Sequence, residues 1–372
     1  MGRAYDVAVV GAGVFGAWIA HELARAGRRV VLLDQHGPGN PRSSSGDETR
    51  IIRMCYGADE IYTRASMRSL VRWKEFGMFH RTGALLTAPR GDSHLLAGRD
   101  TLARVKYKFE WLEDAELARR FPQLKLDRGT AGVYEPNSGV LMARRLVQSL
   151  VEAAIRLGAR YEGWRASAPA KNGLLKTSGG EIHAGTIVYA CGPWLAALFP
   201  ESLGKRIRPS RQQVFFFGTP PGDASLGAKR MPAWIAFREG SYCLPAIDHR
   251  GFKFALDTHG PPFDPETGER QITQGKLRDV RKMLAKRFPA MAGAPLVESR
   301  VCQYENTSNG DFLIDRHPEF DNVWLVGGGS GHGFKQGPFV GEYVAAMLAG
   351  TGRAEPRFSL ATKGTRRRRT VY

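Results

Sequence analysis

The chain has 372 residues, 42% apolar and 24% charged, enough for two domains with a full hydrophobic core, and this excludes a disordered chain. A formal charge of +18 invites a nucleic-acid or anionic-membrane reading, but no aromatic-interleaved basic motif accompanies it, so nucleic acid is not the expected partner. The cysteines Cys55, Cys191, Cys243 and Cys302 form no CxxC pair, which argues against a structural zinc site or a disulfide framework.

Tyr5–Val10 reads as a short buried strand that opens the chain with neither a secretory signal nor a membrane-length apolar run, so a cytoplasmic, membrane-free protein is expected. GAGVFG comes next and supplies Gly11, Gly13 and Gly16. A helix then carries Phe15, Trp18, Ile19 and Leu23 on one face and ends at Gly27. RRVVLLD is a second strand ending in Asp34. This is the strand–GxGxxG–helix–strand–acid order of a dinucleotide fold. The glycines permit the tight turn, the approach of a pyrophosphate and close helix–strand packing, and Asp34 is placed to accept from a ribose hydroxyl. The order does not separate NAD from FAD.

The stretch of chain after Asp34 does separate them. HGPGNPRSSSGDETR is an extended loop where an NAD domain would continue with another helix and strand. IIRMCYG comes after it, with Arg50 and Arg53 three apart. Phe215–Phe217 and GFKFALD (Gly251–Asp257) read as strands. EIHAGTIVYACGPW reads as a hairpin and strand leading into a Gly-Pro turn, and NVWLVGGG as a strand followed by the loop SGHGFKQG. A final helix begins near Pro338, carries Phe339, Val340, Tyr343, Val344, Met347 and Leu348, and stops at Gly350. The basic run Lys363–Arg369 has no assigned role.

VVGAGVFG, GDETRIIRMCYG, VYEPNSGVL, RVCQYENTSNGDFLIDRHPE and SGHGFKQG together resemble the FAD-dependent amine oxidases of the D-amino acid oxidase superfamily. The resemblance is to the monomeric sarcosine oxidase, N-methyltryptophan oxidase and pipecolate oxidase group, and it spans nearly the whole chain. It implies an α/β plus α+β fold, with an FAD-binding Rossmann-like domain of the glutathione-reductase type and an antiparallel-sheet substrate domain. The implied FAD domain is discontinuous, residues 1–82, 143–208 and 310–372, with residues 83–142 and 209–309 forming the substrate domain. The implied reaction oxidises the C–N bond of a secondary, N-methyl or cyclic, amino acid to an imine and reduces O2 to H2O2. The implied enzyme is a monomer.

The same resemblance implies residue roles. Cofactor contacts fall at Gly11, Gly13, Phe15, Gly16, Asp34, Ser45, Arg50, Cys302, Gly329, Gly331, Gly333 and Lys335. Arg53 and Lys335 clamp the substrate carboxylate, a task suited to a guanidinium fork and a second cation. Lys253 is the oxygen-activating lysine, whose ammonium favours charge developing on O2. Arg50 supplies positive charge near the flavin ring, as does the positive end of the helix near Pro338. Tyr242 lines the substrate pocket. Cys302 is the covalent attachment point for FAD through a thioether, with Cys55 as the rival; Cys191 and Cys243 are expected to be structural.

Three departures from that group stand out. Ser44 and Ser45 replace paired histidines, Glu48 is an extra residue, and Asp257 replaces an active-site histidine, with His259 two residues further on. Asp257 is expected to bind a positive group on the substrate or to hold Lys253. Two alternatives stand beside the oxidase: an FAD-dependent amino acid dehydrogenase with another electron acceptor, and a basic nucleic-acid-binding protein on a dinucleotide fold.

Overall fold

A short, almost wholly apolar strand can be stable only if both of its faces are covered. Tyr5–Val10 meets this condition. Val7 and Val9 point into one apolar cluster and Ala8 and Val10 into another. The strand pairs in parallel with Val30–Leu33 on one side and Gly180–Tyr189 on the other. Val323–Gly327 continues the sheet in parallel, and Leu313–Arg316 closes it antiparallel. In the computed structural model, which describes residues 5–169 and 174–366, this sheet has seven strands. Arg367–Arg369 of the basic run lie outside the described residues.

The helix Val14–Arg25 covers one face of the sheet and is itself covered by Gly337–Leu348 and Ala143–Arg156. That is why it is buried nearly all round. Its contact with the last helix is close because of two glycines there: a Cβ at Gly337 would lie 2.6 Å from the Trp18 ring, and one at Gly341 would lie 2.8 Å from the Trp18 backbone.

A second sheet has eight strands, and all of its pairings but one are antiparallel. Its long pair, Ile207–Phe217 with Leu296–Thr307, runs unbroken through residue 208, where the family resemblance implies a boundary between the two domains. Phe215 and Phe217 with Phe252 and Phe254 pack on the helix Gln274–Arg287. Alternation sends their neighbours Val214, Phe216 and Ala255 to the opposite face. A three-stranded sheet, Thr49–Ile52, Gly139–Met142 and Phe79–His80, completes the chain. Among the described residues no helix is long and apolar enough to cross a membrane.

Candidate cofactor cleft and active site

A cavity of about 490 Å³ opens at the carboxyl ends of the parallel strands, where open α/β sheets bind their ligands. Its wall includes Asp34, His36, Trp164 and Trp194, the glycine turn at Gly11 and Gly13 with Cys191 and Glu305, and Arg50, Cys302, Tyr304 and Gly331. Gly11 has a φ of +104°, and a Cβ there would meet Ala190 O at 2.5 Å. Two strand ends are therefore pressed together beneath the turn, and the backbone lies bare to the cavity. Ser45 Oγ accepts from Val14 N at 3.0 Å at the start of the first helix. Asp34 accepts from Ala12 N at 2.8 Å, His36 N at 2.8 Å and Gly37 N at 3.0 Å, which fixes its carboxylate at the cavity wall. Burial raises its pKa, and those three bonds work against the rise. The bare glycine turn, the fixed acid and a cavity of this size fit a dinucleotide.

The ring end owes its composition to strand alternation. Cys302 pairs with Gln212, Lys253 with Phe216, and Tyr242 with Ala255, so the pleat places Cys302, Tyr304, Lys253 and Tyr242 on one face of the large sheet. Tyr242 packs with Val214, Phe216 and Ala255 on that face, and burial pushes its hydroxyl well up. Lys253 is 2% exposed and ion-pairs with Asp47, which is 3% exposed; it also donates to Thr49 O at 3.0 Å. Arg50 pairs with the same carboxylate, donates to Ser44 O at 2.8 Å and lies 3.8 Å from Cys302 Sγ. Burial would raise the Asp47 pKa, but Lys253 and Arg50 outweigh it and hold the carboxyl at about 2. Asp47 is thus a buried anion shared by two cations. Burial pushes the Cys302 thiol up, and Arg50 opposes that shift.

Beyond this end lie two more buried cations. Arg53 follows the strand Thr49–Ile52, in a segment pinned by Glu135, whose carboxylate accepts from Met54 N at 2.8 Å and Cys55 N at 2.7 Å. Its guanidinium sits 4.3 Å from the centroid of the Tyr56 ring and 5.4 Å from that of Phe237. Lys335 Nζ donates to Tyr56 OH at 2.9 Å and to His332 O at 3.0 Å. Its backbone is pinned by Trp73 Nε1, which donates to Lys335 O at 2.9 Å. One tyrosine therefore joins a cation from each end of the chain. Burial lowers the Lys335 pKa, and Arg53 lowers it further while Tyr56 opposes both. Burial also raises the Tyr56 hydroxyl, but Lys335 and Arg53 outweigh this and bring it below its ordinary value.

Of the residues expected at the cofactor, the cavity wall includes Gly11, Gly13, Phe15, Asp34, Ser45, Arg50, Cys302, Gly329, Gly331 and Gly333; Gly16 instead packs against Gly11 and Ala190 behind the turn. Arg53, Lys335, Lys253, Tyr242 and Asp257 stand outside the wall. Lys335 is one peptide unit from Phe334, Lys253 is joined to Arg50 through Asp47, and Asp257 is joined to Tyr304. At the last helix it is Gly333 and Phe334, ahead of Pro338, that reach the cavity.

Several expectations need correction. Asp257 does not hold Lys253; it accepts from Tyr304 OH at 2.7 Å, and Asp47 holds the lysine. Cys191, expected to be purely structural, lines the cavity with Sγ 3.3 Å from Val10 O. Cys55 does not line it: it is packed at Gly98, and burial drives its thiol up to about 12. The extra residue Glu48 turns into a cluster of arginines, 3.0 Å from Arg300, 3.4 Å from Arg144 and 3.9 Å from Arg250. Asp47, Tyr56, Glu135 and Glu305 were missed. Asp47 carried a usable signal, as one of two adjacent acids in a loop that runs into Arg50 and Arg53; the others did not.

A family model described as FAD dependent oxidoreductase matches residues 6–347. Monomeric sarcosine oxidase of Bacillus sp. (strain B-0618) is 31% identical, over 97% of this chain and 96% of that protein. Peroxisomal sarcosine oxidase of Homo sapiens is 30% identical, over 96% and 94% respectively. Among solved structures, L-proline dehydrogenase from P. horikoshii superposes with a TM-score of 0.84 at 23% identity, covering 97% of this chain and 98% of that one, a likeness of fold.

Proposed function

The chain belongs to the family of FAD dependent oxidoreductases, and from that premise we propose that it oxidises the C–N bond of a secondary amino acid, N-methyl or cyclic, to the imine. The two curated relatives act, by name, on sarcosine, an N-methyl amino acid. The observation that carries the reading to this chain is the meeting of Arg53 and Lys335 on Tyr56 beside the cavity end. Two buried cations that converge on one tyrosine suit a carboxylate that arrives from outside.

FAD supplies the two-electron chemistry when bound, and the residues for it are the glycine turn, Ser45 and Asp34 at the nucleotide, with Arg50, Cys302, Gly329, Gly331 and Gly333 toward the ring. Arg53 and Lys335 hold the substrate carboxylate and so orient the α-carbon and its nitrogen. Tyr242 and Asp257 with its partner Tyr304 border the nitrogen side, where the carboxylate of Asp257 favours a positively charged amine. Lys253, kept as an ammonium by Asp47, presents positive charge where O2 accepts two electrons and two protons to leave as H2O2. That buried ammonium favours the oxidase over the dehydrogenase reading, and family membership favours both over nucleic-acid binding. The cofactor domain is read as residues 1–82, 143–208 and 310–372, and the substrate domain as 83–142 and 209–309. A monomer fits the name of the Bacillus relative.

Substrate oxidation and peroxide release across a panel of N-methyl, cyclic and primary amino acids test the reaction: turnover confined to secondary amines supports it, no oxidation of any of them with O2 or an artificial acceptor removes it, and oxidation that needs the artificial acceptor favours the dehydrogenase. Covalent attachment of FAD at Cys302 is part of the proposal, supported by the thiol's place on the wall beside Arg50. After acid precipitation the flavin absorbance of the parent protein is expected to stay with the pellet, and that of Cys302→Ser to pass into the supernatant. Absorbance in the supernatant from both proteins would make the flavin noncovalent.

A further inference from the structure

The cavity wall contains a carboxyl group that none of these roles uses. Glu305 lies on the strand Leu296–Thr307, is 6% exposed and lines the cavity. Among the described residues its Oε2 accepts a long bond from Gly329 N at 3.5 Å, and its Oε1 has no hydrogen-bond partner. Glycine keeps room for it, since a Cβ at Gly327 would collide with Oε1. No cation offsets its desolvation: burial pushes the carboxyl up to about 7, opposed only by the N–H groups of Gly328 and Gly329. A buried polar atom left open in this way costs stability unless something arriving in the cavity completes it.

Glu305 lies three residues along the same strand from Cys302 and within electrostatic reach of Cys191, whose Sγ is 3.3 Å from Val10 O just ahead of the glycine turn, and this place says what arrives. The helix start at Gly11 and Gly13 suits a diphosphate, and the wall at Arg50 and Cys302 suits the ring. Between them a flavin dinucleotide has its polyol. An ionised carboxylate would repel a phosphate, whereas a hydroxyl donates to a carboxylate and accepts from a carboxylic acid. We infer that Glu305 is a cofactor-binding residue whose carboxyl hydrogen-bonds a hydroxyl of the ribityl chain of FAD. This rests on the FAD reading.

The test is run in a Cys302→Ser background, so that FAD binds reversibly, with Glu305→Met and Glu305→Gln added separately. FAD affinity is read by fluorescence quenching on the apoprotein, and thermal melting is followed without FAD. Glu305→Met is expected to weaken FAD binding about tenfold, and Glu305→Gln, which keeps a donor and an acceptor, to stay within about threefold of the parent. The Glu305→Met apoprotein is expected to melt no lower than the parent, because the open buried oxygen is gone. A merely structural role predicts the reverse: a lower melting point or failure to fold, with affinity unchanged in whichever variant folds. That result overturns the inference, as does equal loss of affinity in both variants. A parent apoprotein that takes up no FAD would remove the FAD reading as well, whereas FAD uptake unaltered by Glu305→Met removes this inference alone.

Discussion

Arg53→Met is expected to lower kcat/KM for an amino acid substrate by roughly 10²- to 10³-fold, the equivalent of about 3–4 kcal/mol for removing one member of a desolvated charge pair. The loss should concentrate in KM wherever the carboxylate is gripped equally before and during reaction. Lys335→Met is expected to act in the same direction, and more weakly, because an ammonium is a single point charge while a guanidinium binds a carboxylate with two parallel bonds. The discriminating measurement uses each substrate beside its decarboxylated amine. The parent should prefer the acid strongly, and Arg53→Met should lose most of that preference while its turnover of the bare amine stays close to the parent's. Arg53 also stacks on Tyr56 and Phe237, so Arg53→Lys is the control that keeps the charge and gives up the fork. If both variants lost activity on acid and amine alike, the clamp would be refuted and Arg53 would be a packing residue.

The second large effect concerns the anion shared by Lys253 and Arg50. Lys253→Met should slow O2 consumption by the substrate-reduced enzyme by roughly 10²- to 10³-fold, the scale of removing one preorganised electrostatic group from a water-poor site. The anaerobic reaction with substrate should change little, since that half of the cycle depends on Arg53 and Lys335. Asp47→Asn leaves the lysine in place and removes its counter-ion. Burial already holds the Lys253 pKa below its ordinary value, and Asp47 pulls it back up. Losing that pull disfavours the ammonium, so its pKa falls and oxygen reactivity is lost at a lower pH than in the parent, with the alkaline limb moved to lower pH. Stopped-flow reoxidation across pH reads this directly. An unshifted limb in Asp47→Asn, or a slowed anaerobic step with normal reoxidation, would contradict the assignment.

The two ends of the molecule were legible in different degrees. The strand Tyr5–Val10, the glycine turn, the helix Val14–Arg25 and the acid Asp34 succeed one another within a few dozen residues, so their geometry is a local consequence of local sequence. The alternation in GFKFALD likewise puts Phe252 and Phe254 on one face and Lys253 on the other before any partner strand is known. The resemblance to a family supplied the roles of Arg53, Lys335, Lys253 and Cys302, which no periodicity carries. The partners of those groups remained hidden. Tyr56 could have been any core aromatic, and Asp257 was offered two occupants, of which Tyr304 was neither.

Short-range pattern, then, determined the dinucleotide turn and the strand faces, because each depends on residues close in sequence or on a period within one element. Tertiary structure alone decided that Asp47 serves both Lys253 and Arg50, that Arg53 and Lys335 meet on Tyr56, and that Glu305 opens into the cavity. Charge and hydrogen-bond partnerships act over a few ångströms of space without regard to chain separation, and Asp47 and Lys253, or Tyr56 and Lys335, become neighbours only when the sheets and helices close around them.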